Sequence, residues 1–301
     1  MFGERIDGET ILMTAKEKFL DYQIAGRPSF AFRSYGVRVH LTADDVDLLQ
    51  TGIRVAKKAL VGRLNEIDCS SQDADHRFSL HRSADGGFYI GDDGAETAPM
   101  ADEIAFARLL NAMIRANVAA KAKRFVFLHA GVVTVAGRAI VLPGDSYSGK
   151  TRLVAELIRR GATYFSDEYA VMDKRGMIHP FDRDLSLRPD GGHVPYDVRP
   201  EDLGANRGGG PTAAAMLILT KYEPGAAWLP ERISLGQAIL EIVPKCIGIA
   251  SNPEFHLNVL HRTFECSIIL KSPRGDTPET AKRILQAFYK LPAPKGSGRL
   301  I

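Results

Sequence analysis

A short run of residues has the types and the spacing that bind phosphate. Residues 144–151 read GDSYSGKT, which satisfies the pattern G-x-x-x-x-G-K-T. Glycines let the backbone curl so that successive N–H groups point at phosphate oxygens, and the positive end of the following helix dipole faces the same anion. Lys150 would then reach the β and γ phosphates, and the Thr151 hydroxyl a bound Mg²⁺. The pattern predicts a nucleoside triphosphate site; the alternative is a glycine-rich turn that binds nothing.

The whole loop is predicted to contact the nucleotide. Its residues are Gly144, Asp145, Ser146, Tyr147, Ser148, Gly149, Lys150 and Thr151.

A phosphate loop also needs a metal ion and a group that orients the nucleophile, so the nearby carboxylates are the next candidates. Asp167 and Glu168 follow the loop by one predicted helix and one short strand, which can return them to the phosphate end of a sheet. Adjacent residues of a regular strand point to opposite faces, so both serve one site only if the strand ends or twists there. We therefore predict Asp167 as the catalytic carboxylate of the pair. The alternative is a polar strand end without a role.

Two further residues are catalytic candidates on a weaker pattern. His129 closes an apolar strand just before the hairpin that leads into the loop, and its alternative is an ordinary packing or surface histidine. Arg188 is the first arginine on a strand-like segment after the acidic pair. Its guanidinium could neutralise charge on a transferred phosphoryl group, although solvated arginines are far commoner.

One competing nucleotide motif is present in part. Residues 220–223 read TKYE after a buried-looking strand and approximate the T-K-x-D motif with which GTPases read guanine. Glutamate in place of aspartate lengthens the carboxylate arm, and no D-x-x-G switch motif lies between the loop and this point. The GTPase interpretation is therefore the weaker one.

Hydrophobic periodicity predicts the elements that position these residues. A hairpin over 132–142 runs into the loop, and a helix over 152–160 follows it, with Gly161 as its C-terminal cap. Residues 1–122 mix strand-like and helical stretches and indicate a small α+β module, whereas 123–291 indicate a P-loop catalytic domain. The Gly- and Pro-rich stretch 189–212 predicts a mobile loop, either a surface linker or a flap ordered by substrate. Residues 292–301 predict a disordered tail.

Composition bounds the class of protein. The chain has 301 residues, 45% of them hydrophobic, and a net charge of +3, which gives no reason to expect a nucleic-acid partner. Its 3 cysteines lack C-x-x-C spacing, so neither a disulfide framework nor a zinc site is predicted. The first residues lack an apolar signal core and no stretch is long enough to span a bilayer, so we expect a soluble cytoplasmic protein without a membrane partner. A homo-oligomer stays open.

Together these motifs resemble a known family. The histidine before the hairpin, the GDS-containing loop, the loop helix ending in Arg160-Gly161 and the run Ser166-Asp167-Glu168 resemble the catalytic domain of HPr kinase/phosphorylase. The resemblance covers the residues from His129 to Pro189. Several positions depart from it: Tyr147-Ser148 in the loop, Thr151 for serine and Glu168 for a second aspartate. The chain looks closer to divergent HPr-kinase-like proteins, some of which phosphorylate a serine of a ribosomal peptide precursor in lasso-peptide pathways.

The resemblance implies a fold and a set of roles. It implies an α/β fold similar to the nucleotide-binding part of phosphoenolpyruvate carboxykinase, and ATP and Mg²⁺ as cofactors. By position, Asp167 becomes the base, Glu168 a Mg²⁺ or substrate contact, and His129 an active-site polar group. The implied function is a kinase that transfers the γ-phosphoryl group of ATP to a hydroxyl, above all serine of a peptide or protein. A small hydroxylated metabolite as acceptor, and a nucleotide-binding regulator without catalysis, remain as alternatives.

Overall fold

The computed structural model describes residues 26–145, 148–189 and 195–292. The loop residues Ser146 and Tyr147, the segment 190–194 and the predicted tail from 293 onward lie outside the described residues. The chain divides into two compact units, Met1–Ala122 and Lys123–Ile301. Each unit has its own sheet and its own buried core.

The described part of the first unit is a sheet with two helices. Its elements are β1 (Ser29–Ser34), β2 (Val37–Ala43), α1 (Val46–Ala59), β3 (Asn65–Glu66), β4 (His76–Arg82), β5 (Phe88–Asp92), β6 (Ala95–Glu96) and α2 (Glu103–Lys121). The strand order is β3-β1-β2-β4-β5-β6, and β2 pairs with β4 in parallel. Asp45 and Asp102 cap the two helices by accepting backbone N–H bonds from Leu48 and Ala105. The mixture of strands and helices predicted for this region is confirmed in its described part.

Close approach of α1 to its sheet explains a glycine in the middle of that helix. A Cβ at Gly52 would lie 2.5 Å from Cδ1 of Leu80 and 2.7 Å from Cδ2 of Leu41. Both leucines are fully buried, so neither can move aside cheaply. The glycine therefore exchanges helix propensity for tight helix–sheet packing.

The second unit is built on a longer mixed sheet. Its strands are β7 (Phe125–Val135), β8 (Arg138–Pro143), β9 (Thr163–Ser166), β10 (Tyr169–Asp173), β11 (Ile178–His179), β12 (Leu185–Leu187), β13 (Tyr196–Val198), β14 (Ala214–Tyr222), β15 (Glu231–Arg232), β16 (Cys246–Ile247) and β17 (Ile268–Arg274). The order is β11-β10-β7-β8-β14-β17-β15, and β9 and β16 also pair with β7. β8, β14 and β17 run parallel, so their carboxyl ends meet at one edge. β12 and β13 form a separate antiparallel ribbon.

Helices cover both faces of this sheet. They are α3 (Lys150–Arg159), α4 (Leu235–Ile242), α5 (Pro253–Phe264) and α6 (Thr277–Tyr289). Along β8, Ile140 and Leu142 belong to the core shared with α3 and α6, whereas Ala139 and Val141 belong to the core shared with α4 and α5. This alternation is what a strand buried on both faces requires. The unit is thus a mixed α/β structure with helix layers on both sides.

Three details of the second unit differ from the sequence-based predictions. The stretches 125–128 and 132–135, predicted as two strands, form the single strand β7. The pair Thr277-Pro278 predicts Thr277 as the N-cap of α6, but the cap is Asp276, which accepts the N–H of Glu279, and Thr277 is the first helical residue. Within the described residues, no helix combines the length and apolar character needed to cross a membrane.

The third difference is the stretch 189–212, whose described part contains regular structure and firm anchors. It contributes β13 and a 3-10 helix, Pro200–Leu203. Arg207 ties it down through three carboxylates, with Nη2 2.6 Å from Asp184, Nε 2.7 Å from Glu201 and Nη1 3.2 Å from Asp182. Residues 195–212 are therefore not without regular structure, and the Gly/Pro composition did not reveal the ion pairs that hold them.

Candidate functional site

The site forms where β7 changes its neighbours. The first half of β7 pairs with β10, placing His129 opposite Tyr169, and its second half pairs with β8, placing Ala130 opposite Pro143. At this crossing the N–H of Ala130 donates to the carbonyl of Glu168 at 3.1 Å. The N–H of Gly144 donates to the carbonyl of His129 at 3.3 Å. The backbone at residues 129–130 therefore brings together the histidine, the acidic pair and the start of the loop.

The loop leads directly into α3, as the motif predicts. Gly149 is the N-cap of the helix with φ +76°, a conformation that favours glycine, and no described side chain caps the helix there. A Cβ at Gly131 on β7 would lie 2.5 Å from Cγ2 of Val154 and 3.2 Å from Cγ of Lys150. Gly131 thus lets the first turns of α3 pack directly on the strand that carries His129.

Lys150 is the central cation of the site. It is buried, and its Nζ donates to the carbonyl of Gly144 at 3.0 Å. Burial lowers the pKa of Lys150 to about 8, against the opposing effect of carboxylates of which Glu168 acts most strongly, followed by Asp167. The ammonium is therefore poorly neutralised where it sits, and an additional anion would be favourable beside it.

His129 lies in the same electrostatic environment. Burial, and then the charge of Lys150, lower the pKa of His129 to about 4, and among the nearby carboxylates Glu168 opposes the shift most. The imidazole is consequently neutral at physiological pH. It can donate or accept a hydrogen bond there, but it does not add positive charge.

Asp167 is the more enclosed member of the acidic pair. It is 6% exposed, and its oxygens accept hydrogen bonds from the N–H of Ser186 at 3.1 Å and from the hydroxyl of Tyr164 at 3.3 Å. Burial raises the pKa of Asp167, with a further contribution from the charge of Glu168. A carboxylate has about four acceptor positions, so these two bonds leave room for another partner.

Glu168 is more accessible and has an arginine partner. Its side chain is 24% exposed, and its Oε2 lies 3.1 Å from Nη1 of Arg183. The sequence pattern predicts Arg188 as a catalytic arginine of the site. Arg188 follows β12, where its carbonyl accepts a hydrogen bond from Arg152 of α3 at 3.3 Å. Arg183, which was not predicted from the sequence, thus contacts the acidic pair.

Two more cations stand at the loop and were not found from the sequence. Lys245 lies 3.0 Å from Oδ2 of Asp145, because the residue after it, Cys246, pairs with Leu128 of β7. Arg274 donates from Nη2 to the carbonyl of Ser148 at 3.0 Å. A two-residue strand carries no periodic signal, so Lys245 was not predictable. Arg274 ends β17, and only the parallel strand order places that end at the loop.

The remaining predicted residues sit as the loop-helix geometry dictates. Thr151 is the second residue of α3 and Asp145 directly follows Gly144. Ser146 and Tyr147 lie outside the described residues, so their predicted contacts with a nucleotide stay predictions. Across the part of the chain that is described, no cluster of three or more His, Cys, Asp or Glu side chains forms a metal cage.

Comparison with known proteins gives a single kind of result. No family model matches the chain. No curated protein matches it. Solved structures that match include the HPr(Ser) kinase/phosphatase from Coxiella burnetii, at 15% identity over 55% of this chain and 99% of that chain, with a TM-score of 0.30. The chain is therefore similar, at a distance, to a structure of the kinase/phosphatase class, and a likeness this low carries no conclusion about its activity.

Proposed function

We propose that the chain is an ATP- and Mg²⁺-dependent kinase that transfers the γ-phosphoryl group to a hydroxyl, above all serine of a peptide or protein. The observation that carries the proposal is the convergence of His129, the acidic pair and Lys150 on the start of a phosphate-binding loop. Each of these was selected from sequence for its chemistry. Their meeting at one sheet edge is what a phosphoryl-transfer site needs.

The described loop residues fit a triphosphate. Among the residues that the structure describes, the first turn of α3 has neither a side-chain cap nor an acidic residue to compete for its N–H groups. Ser148 Oγ is buried and has no hydrogen-bond partner among the described residues. Thr151 and Glu168 would hold Mg²⁺, a cation that prefers few protein oxygens together with phosphate oxygens. When bound, Mg²⁺ neutralises charge that develops on the phosphoryl group.

The protein's own groups would act mainly by positioning and charge. Lys150 and the loop amides hold the phosphates, and Arg188 keeps its predicted role toward the transferred group. Asp167 accepts the proton of the attacking hydroxyl, which its raised pKa suits because a stronger base is a better proton acceptor. Neutral His129 hydrogen-bonds at the same site. Phosphoryl transfer requires little covalent help beyond such placement.

The test is transfer from γ-labelled ATP to a panel of serine peptides, folded proteins and small polyols. Asp167→Asn is expected to lower the transfer rate by about 10²- to 10⁴-fold, the usual contribution of a general base, while the dissociation constant for ATP changes little. Asp202→Asn, which alters an exposed carboxylate paired with Arg199, is the matched control and should transfer normally. Undiminished transfer by Asp167→Asn would remove the base from the proposal, and loss in Glu168→Gln instead would reassign it.

The burial of Asp167 favours one second candidate, a regulator that binds nucleotide without turning it over. A carboxylate already engaged by Ser186 and Tyr164 need not reach an acceptor. Stable ATP binding by the wild-type protein, with neither transfer to any acceptor class nor hydrolysis, would select this candidate. Transfer only to polyols would select a small-metabolite kinase.

A further inference from the structure

Arg274 lies buried beneath the phosphate loop. It is the last residue of β17 and is 1% exposed. Its Nη2 donates to the carbonyl of Ser148 at 3.0 Å, and its Nη1 donates to Oγ1 of Thr277 at 3.4 Å. Its guanidinium carbon lies 5.6 Å from the ring centroid of Tyr222, at the end of β14. Arg274 thus links the ends of two parallel strands to the peptide just before α3.

The charge of this guanidinium has no carboxylate partner among the described residues. Its Nε lacks any hydrogen-bond partner there, although the side chain is among the most buried in the protein. Burial lowers the pKa of Arg274, with only Tyr222 acting in the opposite direction. Burying an uncompensated charge costs stability, and native proteins normally avoid it by pairing. A bound anion would compensate such a buried, unpaired cation beside the proposed anion-binding loop.

The hydrogen bond to Ser148 also fixes the direction of one loop amide. In a trans peptide the C=O and the following N–H point in opposite directions. Because Arg274 holds the Ser148 carbonyl, the N–H of Gly149 in the same peptide points away from the guanidinium. Gly149 is required there, since its φ is +76° and a Cβ would lie 2.5 Å from Nη2 of Arg274. Arg274 and Gly149 therefore act together to set the direction of the 148–149 peptide.

We propose that Arg274 is a positioning residue of the triphosphate site: it holds the 148–149 peptide with its N–H toward the phosphates, and its unpaired charge is balanced by them. The inference rests on the proposed nucleotide binding and adds a residue that the loop motif does not contain. It also explains why a cation is retained in the core at a cost. The same unpaired guanidinium charge lowers the stability of the free protein and favours the binding of phosphate.

The test uses the full-length protein, with inorganic tripolyphosphate and ATP·Mg²⁺ as probes in calorimetric titrations. Arg274→Met keeps the length of the side chain but removes its charge and its N–H groups. We expect tripolyphosphate affinity to fall about 10- to 100-fold, the range for a lost charge-assisted interaction, while the melting temperature without ligand stays equal or rises. Arg274→Lys, which keeps the charge, should bind more tightly than Arg274→Met. Arg283→Met, an exposed arginine of α6, is the matched control and should bind normally.

A double-mutant cycle that combines Gly149→Ala with Arg274→Met tests whether the two residues act together. The added methyl group should weaken tripolyphosphate binding less in the Arg274→Met background than in the wild type, because the colliding Nη2 is gone. Arg274→Met binding tripolyphosphate within about twofold of the wild type would overturn the proposal, as would strictly additive effects in the cycle. If Arg274→Met does not fold, wild-type affinity in Arg274→Lys would overturn the role of the guanidinium geometry.

The outcomes also separate this inference from the kinase proposal. Wild-type protein that binds tripolyphosphate and ATP but transfers nothing ends the kinase proposal, and Arg274 is still judged by its affinity ratio. Active wild type combined with wild-type affinity in Arg274→Met ends only the role of Arg274. In Arg274→Met, a raised KM for ATP with little change in kcat would support the role of Arg274, because a residue that positions the bound ground state acts on binding. Wild-type protein that binds neither probe ends both.

Discussion

The two units of the chain each contain a histidine, carboxylates and a lysine, and they use them differently. In the first unit His76 lies 2.6 Å from Asp92 and 2.9 Å from Asp93, and Lys121 lies 2.7 Å from Asp93. Lys121 is thus paired with Asp93, and the ring of His76, whose pKa is lowered by burial, lies against both carboxylates. The cluster is closed and holds β4, β5 and α2 together.

At the candidate site of the second unit, two buried cations contact backbone carbonyls and have no carboxylate within ion-pair distance among the described residues. Among the described residues Lys150 bonds to the carbonyl of Gly144, and Arg274 to the carbonyl of Ser148. The carboxylates nearby are engaged elsewhere, Glu168 by Arg183 and Asp167 by Tyr164 and Ser186. The comparison teaches that residue types alone do not mark a site; charges that the fold leaves uncompensated do.

The largest expected effect is the loss of nucleotide binding in Lys150→Met. Removing the buried ammonium should lower ATP affinity by about 100-fold, or about 2.7 kcal/mol, because a charged hydrogen bond to phosphate is lost. Lys121→Met, the matched lysine of the closed cluster, should lower the melting temperature and leave the affinity unchanged. The two dissociation constants are measured by calorimetric titration.

Equal loss of affinity in both variants would break the comparison, since it would show that Lys150 acts only through stability. A second measurement guards against this. The melting temperature of ligand-free Lys150→Met should not fall, because its depressed pKa shows that burial disfavours the charged form.

Much of the fold was predictable because its elements carry strong local signals. The loop helix, the hairpin from Val132 to Leu142 and both helices of the first unit have clear periodicity and turn chemistry. The long strand β7 was predicted as two because His129, Ala130 and Gly131 interrupt its apolar pattern. That interruption is where β7 changes partners, so the local signal failed at the candidate site.

The site itself was predictable only in part. Asp167, Glu168, His129 and the loop were identified by type and spacing, although their assigned roles stay predictions. Lys245, Arg183 and Arg274 were missed, because their places depend on strand order and on pairing between segments far apart in the chain. Such long-range placement is set by the whole fold rather than by neighbouring residues.

Gly131 and Gly52 are a matched pair of closely packed glycines, one in each unit, that tests whether only the second unit affects ATP binding. Gly131→Ala and Gly52→Ala each add a methyl group within 2.5 Å of a buried side chain, Val154 and Leu80 respectively. Both should lower the free energy of unfolding by about 2 kcal/mol through overpacking, measured by urea denaturation. Gly131→Ala alone should also weaken ATP binding, because its methyl group displaces Lys150. An effect of Gly52→Ala on ATP affinity would contradict the separation of the two regions.

The smallest expected effect is a pH dependence of nucleotide affinity that comes from Lys150. Its pKa of about 8 in the free protein should rise when phosphates bind beside it, so binding takes up a proton above that pH. Affinity should be level from pH 7 to about 7.5, then fall by up to about tenfold per pH unit above 8. His129 contributes nothing in this window, since its pKa of about 4 leaves it neutral throughout.

The measurement is ATP·Mg²⁺ titration from pH 7 to 9.5 in two buffers of different ionisation enthalpy, which reports proton uptake directly. The fall in affinity should vanish in Lys150→Met, whose weaker binding has no ammonium to titrate, and persist in Lys121→Met. An affinity independent of pH up to 9.5 in the wild type would mean that the ammonium is fully compensated in the free protein. In that case the second cluster would be as closed as the first, and the open charge that distinguishes the two regions would be absent.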